Sequence, residues 1–532
     1  MKKLLYGSPI YGLMLKGKTP DALRLSPPER AIGDAAAGRA ILAGDFMLAR
    51  HRVRLDLPEK EDSFFPAIPD FVLEAPDQSA ALHGFSWLNH LVALGNAEAL
   101  LRSRTLIRGW IETYDKWQDM AWRPDVVGER LTSWINGIRF ICPDDSEMRR
   151  AVLESAMRQT RHLGRSCATA PKDARAFKAI HGLVTAAICL PGAEVMLDGA
   201  LNLMIREMDR QILADGGHFE RNPSLQLDIL DALNNMRDLL IAAHLEVPTP
   251  LLGAIDRMTP MLRAMRLGDG GLALFNGSFE EGADRVKAVL SGTGIKGQAA
   301  TSAPHTGFQR LSSGRTTVIM DTGMPIPGGQ ANAHAGTLSF EMSVAKDRLV
   351  VNCGSRHGGG WQTATRTTAA HSALVADDTN SMEFLSGGRI GVGPTNVTCT
   401  RRESDGKVWL ETGHNGYVKT VGVLHKRNLY LSPDGEDLRG EDSIEGSGGK
   451  DFAIRFHLHP GVHASLVQDR SAVLLKLPSG GGWQFQASGG SISLEESIYL
   501  GDGGEPRRIE QIVVSGPLHG DGAEIKWRFH KI

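Results

Sequence analysis

Asn332-Ala333-His334-Ala335-Gly336-Thr337-Leu338-Ser339-Phe340-Glu341-Met342-Ser343-Val344 decides how the C-terminal half of this 532-residue chain is read. Leu338, Phe340, Met342 and Val344 alternate with Ser339, Glu341 and Ser343. Period two marks a half-buried strand, here with a His just before its start. Arg366-Thr367-Thr368-Ala369-Ala370-His371-Ser372-Ala373-Leu374-Val375 repeats the arrangement, with His371 at the head of a short apolar run. Two imidazoles at the entrances of two strands of one sheet can converge on a metal ion or a substrate carboxylate.

Outward from these segments the same period recurs in Thr316–Asp321, Lys407–Thr412, Phe452–His457 and Ala472–Leu477. Turn formers separate the runs, among them Pro327-Gly328-Gly329, Pro433-Asp434-Gly435 and Ser479-Gly480-Gly481-Gly482. Many short strands at this spacing predict an antiparallel β-sandwich. Upstream, from about residue 80 to 290, the period is helical. Leu197, Leu201, Met204, Ile205, Met208 and Ile212 lie on one helix face, and Asp215-Gly216-Gly217 ends that helix. Asn222-Pro223 starts the next, with Asn as N-cap and Pro at the first helical position. Helical hairpins in series suggest an incomplete α/α toroid. The expected order is an N-terminal extension over 1–75, a helical domain over 76–290, a linker over 291–306 and a β-sandwich over 307–532. A cleft between the halves is the natural place for a ligand.

Composition excludes little but is ordinary: 42% hydrophobic, 23% charged, net charge -2. No global charge draws the chain to nucleic acid or an anionic surface. Five Cys (Cys142, Cys167, Cys189, Cys353, Cys399) without CxxC spacing argue against a disulfide framework and against a Cys-based zinc site, and read as buried thiols. The N-terminus starts like a signal peptide, but Gly7, Ser8 and Pro9 break its apolar run and Lys16 and Lys18 follow. No stretch reaches the ~20 apolar residues of a membrane span. The expectation is a soluble, cytoplasmic protein, with the periplasm or cell envelope as the alternative.

The order of halves and these motifs resemble the heparinase II/III-like family of polysaccharide lyases. The residues that carry the likeness are Ala333-His334-Ala335 into Leu338-Ser339-Phe340-Glu341, Arg348-Leu349-Val350-Val351-Asn352, and Thr368-Ala369-Ala370-His371-Ser372. His414-Asn415-Gly416-Tyr417, His425-Lys426-Arg427 and Arg455-Phe456-His457-Leu458-His459-Pro460 add to it. In the helical half, Asp215-Gly216-Gly217-His218-Phe219-Glu220-Arg221-Asn222-Pro223 resembles the family's loop before a catalytic helix.

The resemblance implies β-elimination at a uronic acid of an acidic polysaccharide or oligosaccharide. A base takes the C5 proton, a cation or donor neutralises the carboxylate, and an acid protonates the leaving oxygen. It also implies one divalent metal ion, zinc or calcium, on His334, His371 and Asn352, and no other cofactor. This chain departs from the pattern where the family has its proton-transferring residues. Its Tyr-His pair falls on Leu225-Gln226 and its Asn-His pair on Ala174-Arg175. Its His-x-His falls on Asn332-Ala333-His334, and the Asp among its metal ligands falls on Asn352. A neutral amide gives a cation no charge, so zinc would be held weakly there.

A rearranged lyase would use Tyr417, His334 and His218 for catalysis. Arg175, Arg221, Glu220, Asn222 and Asn332 would contact the substrate, and Arg suits a carboxylate because its fork binds two oxygens. Arg130 and Trp134, four apart on one helix face, offer a cation beside an aromatic ring. Each has a plainer reading beside it. His334 and His371 would close a strand end, Tyr417 would pack with its hydroxyl satisfied, and His218 would cap a loop. Glu220 and Arg221 would pair on the surface, and Arg130 would stack within the toroid. A fold hosts many functions. A lyase, an inactive binder of acidic glycans and a structural or interaction protein all stay open.

Overall fold

The computed structural model describes residues 5–532 apart from 29–32, 59–62, 69, 144–145, 326–331, 357–358, 468, 519 and 521. The turn expected at Pro327-Gly328-Gly329 lies outside the described residues. The chain forms two compact units that interleave along the sequence: Met1–Gln211 with Ile229–Ile255, and Ile212–Asp228 with Asp256–Ile532.

The first unit is helical, an α/α-toroid architecture. Ala97–Tyr114, Pro124–Ile141, Ser146–Ser166, Arg175–Cys189 and Leu197–Gln211 are its long helices. Asn96 caps the first, its Oδ1 accepting from the Ala99 N–H at 2.8 Å. Pro124–Ile141 and Arg175–Cys189 touch through glycine: a Cβ on Gly182 would lie 2.3 Å from the Cα of Gly128. Arg130 and Trp134, expected to meet substrate, belong instead to the core of this unit. The Arg130 guanidinium donates to Gln159 Oε1 at 2.8 Å, to the His83 carbonyl at 2.8 Å and to the Ala121 carbonyl at 2.9 Å. It stacks 3.9 Å from the Trp110 ring, and both Arg130 and Trp134 are fully buried. A sugar has no path to either side chain.

The second unit is an antiparallel β-sandwich. Outside it, β1 (Asp45–Leu48) and β2 (His51–Arg54) form a hairpin. The sandwich strands are β3 (Ser302–Ala303), β4 (Phe308–Ser313), β5 (Thr316–Asp321), β6 (Phe340–Val344), β7 (Asp347–Val351), β8 (Leu374–Ala376), β9 (Val397–Ser404) and β10 (Lys407–His414). They continue as β11 (Val423–Leu431), β12 (Asp437–Gly446), β13 (Asp451–Leu458), β14 (His463–Leu466), β15 (Ala472–Lys476), β16 (Gly482–Ser488), β17 (Ser491–Tyr499), β18 (Arg507–Pro517) and β19 (Ala523–Lys531). One sheet runs β14-β15-β16-β19-β12-β11-β10-β9. The other runs β17-β18-β13-β7-β6-β5-β4-β3, with β8 paired to β13. The inner faces interdigitate into one apolar core, with Phe340, Phe456, Phe485, Trp527 and Phe529 at its centre.

Strand β6 departs from the half-buried expectation, because Ser339, Glu341 and Ser343 are buried as fully as their apolar neighbours. The polar face is covered by a segment close to residues 268–276. Ser343 Oγ accepts from the Gly268 N–H at 3.0 Å, and Glu341 Oε1 accepts from the Asn352 N–H at 2.8 Å.

Arg427 and Asp442 form a fully buried ion pair between the sheets. Asp442 on β12 accepts from Arg427 on β11 at 2.8 and 3.1 Å, from Trp527 Nε1 at 2.7 Å and from His425 Nε2 at 2.7 Å. Burial pushes the Asp442 carboxyl up, but Arg427 and His425 win and hold it at about 2. The other face of Arg427 donates to the carbonyls of Leu338 and Ser372, both at 2.9 Å. One guanidinium thus ties both His-bearing segments to the sheet opposite.

Four cysteines are buried as expected, but Cys399 on edge strand β9 is exposed. Replacing Arg427 by Met strands a buried carboxylate and two carbonyls. We expect a loss of about 3–5 kcal/mol in urea unfolding followed by tryptophan fluorescence.

Candidate functional site

The loop between Leu197–Gln211 and the helix Pro223–Ala242 builds the site, and all of it lies in the second unit. Asp215 folds it. Its Oδ2 accepts from the His305 and Thr306 N–H groups at 2.8 and 2.7 Å, and its Oδ1 from Thr306 Oγ1 at 2.5 Å. Gly216 is obligatory: φ is +84°, and a Cβ there would lie 2.0 Å from the Arg257 carbonyl oxygen. Gln226 then clamps the loop from the helix, accepting from the His218 N–H at 2.8 Å and donating to the Gly216 carbonyl at 2.8 Å. As expected, Asn222 caps that helix, its Oδ1 accepting from the Leu225 N–H at 3.1 Å.

Arg221 has φ +56° and turns its guanidinium inward. It donates to the Thr306 carbonyl at 2.7 Å and the Met324 carbonyl at 3.0 Å, and pairs with buried Asp321. Neither the surface pair with Glu220 nor the substrate fork describes it: every part of the fork is committed to protein. Glu220 is buried too, with Asn332 Nδ2 3.4 Å from its Oε2. His218 is buried against Phe219, its Nδ1 3.4 Å from the Glu220 N–H. The recess between His218, Arg221, Gln226 and Thr306 holds about 10 Å³. That is roughly the room of one water and far short of a sugar ring.

Asn276 connects this loop to the two histidines. Its carbonyl accepts from Asn222 Nδ2 at 2.7 Å, its Nδ2 donates to the Arg221 carbonyl at 3.1 Å, and its Oδ1 faces the His334 N–H at 3.3 Å. The sequence reading missed Asn276, although Asn276-Gly277, both at positive φ (+50° and +81°), is a turn dipeptide that flags the position.

His334 and His371 do meet, with Nδ1 of the first 3.1 Å from Nε2 of the second. The tautomers follow from the partners. His371 Nδ1 lies 2.7 Å from the Thr367 carbonyl, so it carries the proton and its Nε2 is the acceptor. His334 Nδ1 is therefore the donor. Burial pushes His371 down to about 4, which keeps it neutral near pH 7.

The proposed metal set does not fit this arrangement. The one lone pair His371 has to give is already taken by His334. Asn352 Oδ1 accepts from the Ser372 N–H at 2.9 Å and its Nδ2 donates to the Leu274 carbonyl at 3.1 Å. Among the described residues, no group of three or more His, Cys, Asp or Glu is placed to hold a metal ion.

Tyr417 is part of the apolar core and fully buried. Its hydroxyl donates to the Leu374 carbonyl at 2.7 Å, and burial raises the phenol well above its ordinary value. Its hydroxyl is satisfied by that carbonyl, the His414 ring packs against it with centroids 5.6 Å apart, and it is closed off from solvent. In the helical unit Arg175 is held by Asp173 through a fork, Nη2 to Oδ2 at 2.7 Å and Nε to Oδ1 at 3.0 Å. Half-buried Leu225, the position to which the resemblance assigns the family's Tyr, carries no group that can move a proton. The packing readings thus describe these side chains better than the catalytic ones.

Comparison with known proteins agrees with the architecture. Residues 295–528 match the family model described as heparinase II/III-like, C-terminal. A relative from Caulobacter vibrioides (strain NA1000 / CB15N), FtsZ-localized protein C, is 31% identical over 99% of this chain and 93% of its own. The chain belongs to the heparinase II/III-like family. Among solved structures, heparinase III aligns with TM-score 0.73 at 12% identity over 98% of this chain and 88% of its own. A mutant of the heparan sulfate lyase HepC from Pedobacter heparinus aligns with TM-score 0.63 at 14% identity, over 98% and 87%. At such identities the solved structures speak for the fold alone.

The buried imidazoles set an acid limit. His371 falls from 6.5 to about 4 on folding, and His457 to about 3, each first through burial. A depressed histidine binds its proton more readily in the unfolded chain. Its contribution is therefore complete above about pH 6.5 and is lost as pH falls toward 4. Stability should fall by about 1.4 kcal/mol per pH unit for each such histidine across that window. His371→Asn should flatten the slope, read from urea midpoints measured between pH 7 and 4.

Proposed function

We propose that this chain is a non-catalytic interaction protein on the polysaccharide-lyase scaffold, with FtsZ as its partner. The observation that carries the first half is the closed state of the candidate site. Tyr417, Arg221, His371 and Asn352 each spend their hydrogen-bonding groups on the protein itself, and His334 Nδ1 is engaged by His371. Elimination needs a base, an acid and a carboxylate-neutralising group that all reach the same sugar, and the room left beside His218 admits about one water. The likeness to FtsZ-localized protein C, spread over nearly the whole of both chains, supports the second half.

Elimination leaves an unsaturated uronate that absorbs in the ultraviolet. The full-length protein, incubated with alginate, glucuronan and glycosaminoglycans, should give no such absorbance. It should co-sediment saturably with GTP-assembled FtsZ from the same organism. Turnover of any polymer on the panel overturns the non-catalytic reading, and failure to co-sediment overturns the partner.

A further inference from the structure

The outer face of β17, β18, β13 and β8 carries an open groove of about 450 Å³, against about 10 Å³ beside His218. That is room for a small ligand. Alternation places its lining. Phe452, Ile454 and Phe456 of β13 point into the sandwich core, so Asp451, Ala453 and Arg455 share the opposite face. Register extends that face sideways. Ala453 lies between Val375 of β8 and Ser515 of β18, and Arg455 lies beside Val513. The short side chains make the depression, and buried Val375 and Val513 give it an apolar floor.

The two ends of the groove differ in charge. Asp451 opens β13, and the Asp377 N–H donates to its carbonyl at 2.9 Å, which brings Asp378 to the same end. No ion pair among the described residues takes up the side chain of Asp378 or Asp451. Arg455 stands four residues further on, roughly 13 Å along the strand. Its Nη1 makes long contacts, 3.5 Å to Glu495 Oε2 and 3.4 Å to Gln511 Oε1. Glu495 is shared with Ser493, whose Oγ donates to it at 3.0 Å. The Nε of Arg455 is buried and has no hydrogen-bond partner among the described residues. A guanidinium answered so weakly by protein suits a carboxylate, whose two oxygens match its fork.

We infer that the groove binds a short peptide with both ends free, its ammonium at Asp378 and Asp451 and its terminal carboxylate on Arg455. An extended chain advances ~3.3–3.6 Å per residue, so three or four residues span the two ends. The floor of Val375, Ala453 and Val513 favours small apolar side chains such as alanine. None of these residues belongs to the loop at Asp215–Asn222 or to the pair His334 and His371, and the inference stands apart from the FtsZ reading.

Ligand-observed NMR titration of the full-length protein with tetraalanine tests it. The free peptide should bind saturably, more weakly as salt is raised. Acetylating its amine or amidating its carboxylate should each weaken binding at least about tenfold. Asp378→Asn with Asp451→Asn should cost the free peptide the same factor and leave the affinity of the acetylated peptide unchanged. Arg455→Gln should weaken the free peptide likewise and leave the amidated peptide unchanged. The capped peptides probe the same charges on the parent protein, whatever a variant does to the fold. No binding of tetraalanine, equal affinity for the capped forms, or binding untouched by both variants overturns the proposal. So does binding of spermidine without tetraalanine, since the groove would then take cations alone.

Discussion

A carboxylate in the middle of a β-sandwich must be fully answered, and Asp442 is. Arg427, His425 and Trp527 between them take both of its oxygens. A lone ionised carboxyl in that position would cost several kcal/mol, so the three donors form one unit with it. The consequence reaches beyond the pair. Arg427 spends its remaining donors on the carbonyls of Leu338 and Ser372. Those residues are the approaches to β6 and β8, and each follows one of the two histidines. The contact between His334 and His371 is therefore set from behind, by a guanidinium that neither imidazole touches.

The same economy governs the loop at Asp215–Asn222. Gln226, Asn276, Thr306 and Asp321 answer its polar groups one by one. Active sites usually keep some polar groups unanswered by protein so that substrate can answer them. Gln226, from the helix that follows, locks the loop through the Gly216 carbonyl, and half-buried Leu225 beside it carries no group that can transfer a proton. The polar groups of this loop serve as internal ties of the fold.

The architecture was legible in the sequence because burial on one side leaves a period. The helix at Asn222-Pro223 and the strand Thr316–Asp321 fall where caps and alternation put them. The site was legible only as a set of segments. Alternation made Glu341 and Ser343 look solvated, yet chain from around Gly268 covers them, and no local pattern reports a cover that arrives from elsewhere. Arg130 beside Trp134 looked like a sugar platform because spacing says which face a side chain shares, not whether that face is wet. Tyr417 followed a turn glycine, and the sequence could not say that its hydroxyl finds a carbonyl inside the core. Asp321 gave no sign of being the partner of Arg221, because the two meet only through tertiary folding.

The cysteines divide unevenly. Burial pushes the thiols of Cys167, Cys189 and Cys353 up to about 12, which leaves them almost free of thiolate near neutrality. Cys142 is buried as well, whereas Cys399 sits exposed on β9 with its thiol raised by partial burial. A maleimide dye applied to the native protein on the alkaline side of neutral therefore has a single address. The unaltered chain can carry one fluorophore on the rim of the sandwich and can be followed in a cell extract or under a microscope without first engineering its thiols away.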